Sequence, residues 1–119
     1  MFNFLRPAAR APLPSVPEVA AAVAKGEMVL VDVREIAEIR ASGKARGALA
    51  IPLATLARKA DPQAPDAALR PGLPVAVYCA SGGRSGLAAQ LLGRMGYAPV
   101  YNLGGLGDWV AGGGQVDRI

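Results

Sequence analysis

Apolar residues recur along the chain at two spacings, and the switches between them mark out an alternating series of elements. From Pro17 through Val19, Ala22 and Val23 to Lys25 they fall at helical intervals, with Ser15 placed to cap the start and Gly26 to stop the end. Met28 to Val33 is a short continuous run rich in β-branched residues, the pattern of a strand buried on both faces. Glu35 to Arg40 carries Ile36 and Ile39 at helical spacing and ends near Gly43. Ala48 to Ile51, before Pro52, reads as a brief strand, and Leu53 to Lys59 as a turn or two of helix. The Pro-, Asp- and Ala-rich stretch 61–74 predicts a loop with a short helix at its centre. Pro74 to Tyr78 is a second buried strand, and Leu87, Ala88, Leu91, Leu92 and Met95 share one helical face closed by Gly96. Pro99 to Tyr101 is a third strand candidate, followed by a glycine turn and a last helical stretch from Leu106 to Val110. Strands alternating with helices predict an α/β fold, one small domain over residues 15–119 with a central parallel sheet flanked by helices. Residues 1–14, with three Pro and no periodicity, read as an extended or mobile lead-in.

Composition narrows the class. In a chain of 119 residues, 52% are hydrophobic but 24 of those are Ala, which leaves enough larger side chains for one modest core. No apolar run reaches the ~18 residues of a membrane span. The apolar patch before Arg6 and Pro7 is too short for a secretory signal core, so the expected compartment is the reducing cytoplasm. The net charge of +4 is scattered along the chain, which speaks against nucleic acid as a partner and leaves room for a small anion. With no His, imidazole acid–base catalysis and His-ligated metals are excluded. A single cysteine, Cys79, permits no internal disulfide and no thiolate-rich zinc cage, so neither metal nor cofactor is expected.

That cysteine stands where chemistry is concentrated. In Val77-Tyr-Cys79-Ala80-Ser81-Gly82-Gly83-Arg84-Ser85-Gly86 a buried strand passes into a helix through a loop of small residues. Ligands of open α/β sheets bind at the carboxyl ends of strands. Gly82 and Gly83 let the backbone curl so that the amides of 80–85, with the free N–H groups of the next helix, can turn toward the sulfur. Such a cradle stabilises a thiolate without any base, bringing a thiol pKa of roughly 8.5 down to about 3.5–7.5. Arg84 adds a planar cation able to hold an oxyanion, or else packs the loop from outside. A lone cysteine in such a domain is commonly a small buried apolar side chain, and it is the strand, glycine loop, arginine and helix around this one that favour a nucleophile.

These residues resemble the rhodanese (sulfurtransferase) family. The resemblance runs from about Ser15 to Trp109 and rests on Leu30-Val-Asp32-Val-Arg34, Glu38, Gly43, Arg46-Gly47-Ala48 and Ile51-Pro52, then on the Cys79–Ser85 loop, then on Gly104-Gly105 with Trp109. It implies a rhodanese-like α/β domain in which Cys79 carries a persulfide, taking sulfur from a small anionic donor such as thiosulfate and passing it to cyanide, a thiol or a protein acceptor. It implies that Ala80, Ser81, Gly82, Gly83, Arg84 and Ser85 bind the donor. Asp32, Arg34 and Glu38 read as structural support near the site, Arg34 and Glu38 being spaced to pair across one helical turn. Trp109 reads as a core anchor and Gly104-Gly105 as a turn.

Two positions depart from the family pattern: Lys44 stands where a His is common, and Ala80 follows the cysteine where many active members have Arg. Both argue for weak use of thiosulfate. A non-catalytic sulfur carrier or regulatory module acting on a protein is the alternative. Phosphatase or arsenate-reductase chemistry is disfavoured, because those relatives of the fold place five residues between Cys and Arg and this loop places four.

Overall fold

The computed structural model describes residues 12–119, so the expected lead-in over 1–14 falls almost wholly outside the described residues. The described elements are α1 (Val16–Ala24), β1 (Val29–Asp32), α2 (Ile36–Ser42), β2 (Lys44–Ala45), β3 (Leu49–Ala50), α3 (Leu53–Lys59), β4 (Val75–Cys79), α4 (Gly83–Arg94), β5 (Val100–Gly105), α5 (Leu106–Ala111) and β6 (Val116–Asp117). Strands β3, β1, β4 and β5 form one parallel sheet in that order. The chain leaves β1 for the β3 edge and returns to β4 on β1's other side. The carboxyl ends of β1 and β4 therefore adjoin at the point where strand order reverses, the place such sheets use for ligands.

Alternation along the strands sorts their side chains into two cores. Val31, Val33, Val75, Val77 and Cys79 face α3 and α4, packing with Leu56, Ala88 and Leu92. Leu30, Ala76 and Tyr78 face the other way, toward Val19 of α1 and Trp109 of α5. Both faces are covered, which is why β1 and β4 appear in sequence as unbroken apolar runs. Ser15 caps α1 as expected: its Oγ accepts from the Glu18 amide at 3.2 Å, and Glu18 accepts in return from the Ser15 amide at 2.8 Å.

The structure corrects the sequence reading in two places and adds a feature it did not address. Residues 61–74 contain turns but no helix; Pro62, Pro65 and Pro71 remove donors that a helix would need, and Asp61 Oδ1 takes the Gln63 amide at 2.9 Å, the local bond of a turn. Gly104-Gly105 is not a separate turn but the end of β5, which is longer than Pro99–Tyr101. A second sheet, β2 antiparallel to β6, pairs Lys44 with Asp117 and Ala45 with Val116. It holds the Lys44 position to the end of the described chain.

Candidate active site

Cys79 is the last residue of β4 and is 1% exposed. Gly82 follows with φ +105°, a left-handed conformation that glycine takes without a side-chain clash, and α4 starts directly after it. The turn folds back on the sulfur: the Gly82 amide donates to Sγ at 3.0 Å and the Ser85 amide at 3.4 Å. The Ser85 hydroxyl is 3.3 Å from Sγ. Ser85 is fully buried. Ala80, Ser81 and Gly83 are exposed around the opening.

Burial by itself would push the Cys79 thiol up. Hydrogen bonds from the Ser85 hydroxyl and amide and from the Gly82 and Ser81 amides outweigh it and bring the group down to about 7. The thiolate is thus accessible near neutral pH with no His in the chain.

Asn102, which the sequence reading passed over, completes this arrangement. Its Oδ1 accepts from Ser85 Oγ at 2.7 Å and from the Gly104 amide at 2.9 Å, and its Nδ2 donates to Gly82 O at 3.2 Å. One side chain therefore ties β5 to both ends of the sulfur-binding turn. The Ser85 hydroxyl has a single proton for Sγ and Asn102 Oδ1. When sulfur is a thiol its S–H can donate to Oγ; a thiolate needs the O–H turned toward it, and Oδ1 then keeps the Gly104 amide. Iodoacetamide alkylation of Cys79 is accordingly expected to rise with pH through a midpoint near 7, and Ser85→Ala to move that midpoint upward by about one unit. A wild-type midpoint at the free-thiol value of roughly 8.5 would show that the loop does not stabilise the thiolate.

A bulge in β5 brings the partner strand against the loop. Val77 pairs with Asn102 but Cys79 with Gly105, so β5 carries one residue more than β4 over that interval. Gly104 takes φ +90° there. A Cβ on Gly105 would collide with the carbonyl oxygen of Ala80 and approach its carbon to 2.7 Å, so glycine is required for this close approach.

The other expected site residues fall into two separate ion pairs. Asp32, fully buried, accepts from the Arg34 amide at 2.9 Å, from Arg34 Nε at 3.0 Å and Nη2 at 2.8 Å, and from the Tyr78 hydroxyl at 2.5 Å. Arg34 spends its remaining donors on Ser42 Oγ at 2.8 Å and Gly43 O at 2.7 Å. Its hydrogen bond with Asp32 raises the guanidinium's pKa further, against burial. The Tyr78 hydroxyl is pushed up by burial and by Asp32, and it accepts the Ala45 amide at 2.9 Å. The expected pairing of Arg34 with Glu38 is not formed, because Asp32 is nearer and buried with it. Glu38 instead binds Arg84 through both carboxylate oxygens, at 2.6 and 2.9 Å. Arg84 is thus turned toward α2 and packs the loop from its flank, the second of the two readings its sequence position allowed. Trp109, 1% exposed, anchors α5 and donates from Nε1 to Gln115 O at 2.8 Å. A separate cavity of about 250 Å³, lined in part by Ala20, Val23, Arg46 and Trp109, includes none of the residues around the sulfur.

Fold and site together define an α/β thiol protein whose one cysteine sits in an amide loop at the carboxyl end of a central strand. The sequence model of the Rhodanese-like domain matches residues 15–112. The chain belongs to the rhodanese-like family. It is 39% identical over 88 residues to YqhL, an uncharacterized protein of Bacillus subtilis (strain 168); the match covers 73% of this chain and 62% of that protein. Among solved structures it resembles the human single-domain sulfurtransferase TSTD1, with 32% identity, 85% of this chain and 96% of the other covered, and a TM-score of 0.69. It also resembles RPA3614 of Rhodopseudomonas palustris, described as a possible tyrosine phosphatase, with 31% identity, coverage of 92% and 87%, and a TM-score of 0.73.

Proposed function

We propose that this protein is a sulfurtransferase working through a persulfide on Cys79. The Cys79 thiolate attacks the outer sulfur of a donor such as thiosulfate, forming an S–S bond as the donor's own S–S bond breaks and sulfite leaves with the electron pair. Cyanide, a small thiol or a protein thiol then attacks the outer sulfur and regenerates the thiolate. No second cysteine exists to take the sulfur internally, so release depends on an external acceptor.

The observation that carries this reading is the enclosure of Sγ by the Gly82 and Ser85 amides and the Ser85 hydroxyl, all within 3.4 Å. These groups hold negative charge on the attacking sulfur, so the thiolate is ready to attack a donor. The likeness to RPA3614, a possible tyrosine phosphatase, brings phosphoryl chemistry into consideration. Against it, only four residues separate Cys79 from Arg84, which gives a narrow ring of amides for a tetrahedral group with three equatorial oxygens. The arginine such a group would need is already bound to Glu38, and the loop offers no acid to protonate a leaving phenol.

Steady-state assays on one preparation separate the two. The expected result is slow but measurable transfer from thiosulfate to cyanide and no hydrolysis of a small aryl phosphate above the Cys79→Ser background. Phosphate release that disappears in Cys79→Ser, without sulfur transfer, would overturn the assignment.

A further inference from the structure

The charge around the opening of the loop does not match the basic balance of the chain. Arg84 is the cation of the loop itself, and both of its terminal nitrogens are engaged by Glu38 at 2.6 and 2.9 Å. Glu38 Oε1 also accepts the Glu35 amide at 3.0 Å, which fixes the carboxylate on the first turn of α2. Hydrogen bonding to Arg84, then to the Glu35 amide, holds Glu38 at about 2, so it stays ionised at any working pH. The other charged groups that act on this pair or sit on the partner strand are acidic or already matched. Glu35 acts on Arg84 electrostatically, Asp108 accepts the amide of Gly105, the strand partner of Cys79, at 2.8 Å, and Arg34 is compensated by Asp32. The residue after the nucleophile is uncharged Ala80.

We propose, resting on the sulfurtransferase reading above, that Glu38 sets the donor preference of the site. By occupying Arg84 it denies a dianionic donor its cation, and the site takes sulfur preferentially from a donor of low charge, an organic hydropersulfide, rather than from thiosulfate. In that step the Cys79 thiolate attacks the terminal sulfur of R–S–SH. The new bond is Cys79 S–S, the bond broken is the donor's S–S, and R–S⁻ leaves while the proton stays on the transferred sulfur. The neutral hydropersulfide meets no net repulsion, and its anion carries one charge against thiosulfate's two. Glu38 is a positioning residue here, because it acts through Arg84 and through its own charge and does not touch the reacting atoms.

The test measures sulfur uptake by Cys79 from thiosulfate and from a hydroxyalkyl hydropersulfide in wild type, Glu38→Gln and Glu38→Asp, each as the full chain. Wild type is expected to favour the hydropersulfide. Glu38→Gln should raise kcat/KM for thiosulfate on the order of tenfold, the effect of removing one nearby charge from a dianion's path, mostly through KM, and change the hydropersulfide value less than about twofold. Added salt should help thiosulfate more in wild type than in Glu38→Gln, since screening weakens repulsion. Glu38→Asp, which keeps the charge, should keep the wild-type preference. Uptake from both donors with a ratio unmoved by Glu38→Gln overturns this inference while leaving the sulfurtransferase reading intact. Equal shifts in Gln and Asp variants overturn it too, because they would trace the effect to the α2 cap. Uptake from neither donor removes the sulfurtransferase reading itself.

Discussion

Asp32→Ala is expected to lower stability by about 3–5 kcal/mol, the range found when one member of a buried ion pair is removed. The carboxylate is 0% exposed and its partner Arg34 4%, so its loss leaves a guanidinium and the Tyr78 hydroxyl facing each other in a dry interior. The cost arises from this uncompensated burial; the pair itself need contribute little against an apolar replacement. For a domain of this size the change amounts to a fall in melting temperature of roughly 10–20 °C. Because typical domains hold only about 5–15 kcal/mol, much of the variant's margin would disappear. The same network ties the end of β1 to Ser42 and Gly43 at the far end of α2, so partial proteolysis should begin in the 34–45 segment. Thermal and urea unfolding check the magnitude, and a loss below about 1 kcal/mol would mean that the network is solvated or replaceable.

The two central strands were legible because they are buried on both faces. Val29 to Asp32 and Val75 to Cys79 leave no solvent side to interrupt the apolar run, and in α4 the spacing of Ala88 and Leu92 follows directly from packing on one face. The position of Cys79 at a strand end followed from the same boundaries. What escaped notice depends on contacts distant in sequence. Two-residue strands such as β2 and β6 have no period to detect, and Lys44 meets Asp117 only across the tertiary fold. Glu38 lies 46 residues from Arg84, whereas the four-residue spacing to Arg34 offered a local partner. Arg34 chose Asp32 because two residues across a strand-to-helix turn place the carboxylate under the guanidinium, a geometry no helical spacing rule describes. Asn102 did carry a signal: a polar amide following the apolar Val100-Tyr101 pair, in register with buried Val77. Ending the strand at Tyr101 hid it.

Replacing Cys79 removes the proposed nucleophile from a cradle otherwise left in place, and Cys79→Ser is expected to lose sulfur transfer completely while unfolding close to wild type. Serine is slightly smaller, and its hydroxyl can accept from the same Gly82 and Ser85 amides. It does not ionise near neutral pH, however, and so gains no nucleophile from those donors. Intact-protein mass spectrometry after exposure to a hydropersulfide or thiosulfate, followed by a thiol or cyanide, reads this most directly. The protein is predicted to gain the mass of one sulfur atom, to lose it in proportion to acceptor concentration, and to gain none as Cys79→Ser. No added sulfur under either donor, or equal addition to the serine variant, would contradict a persulfide on Cys79.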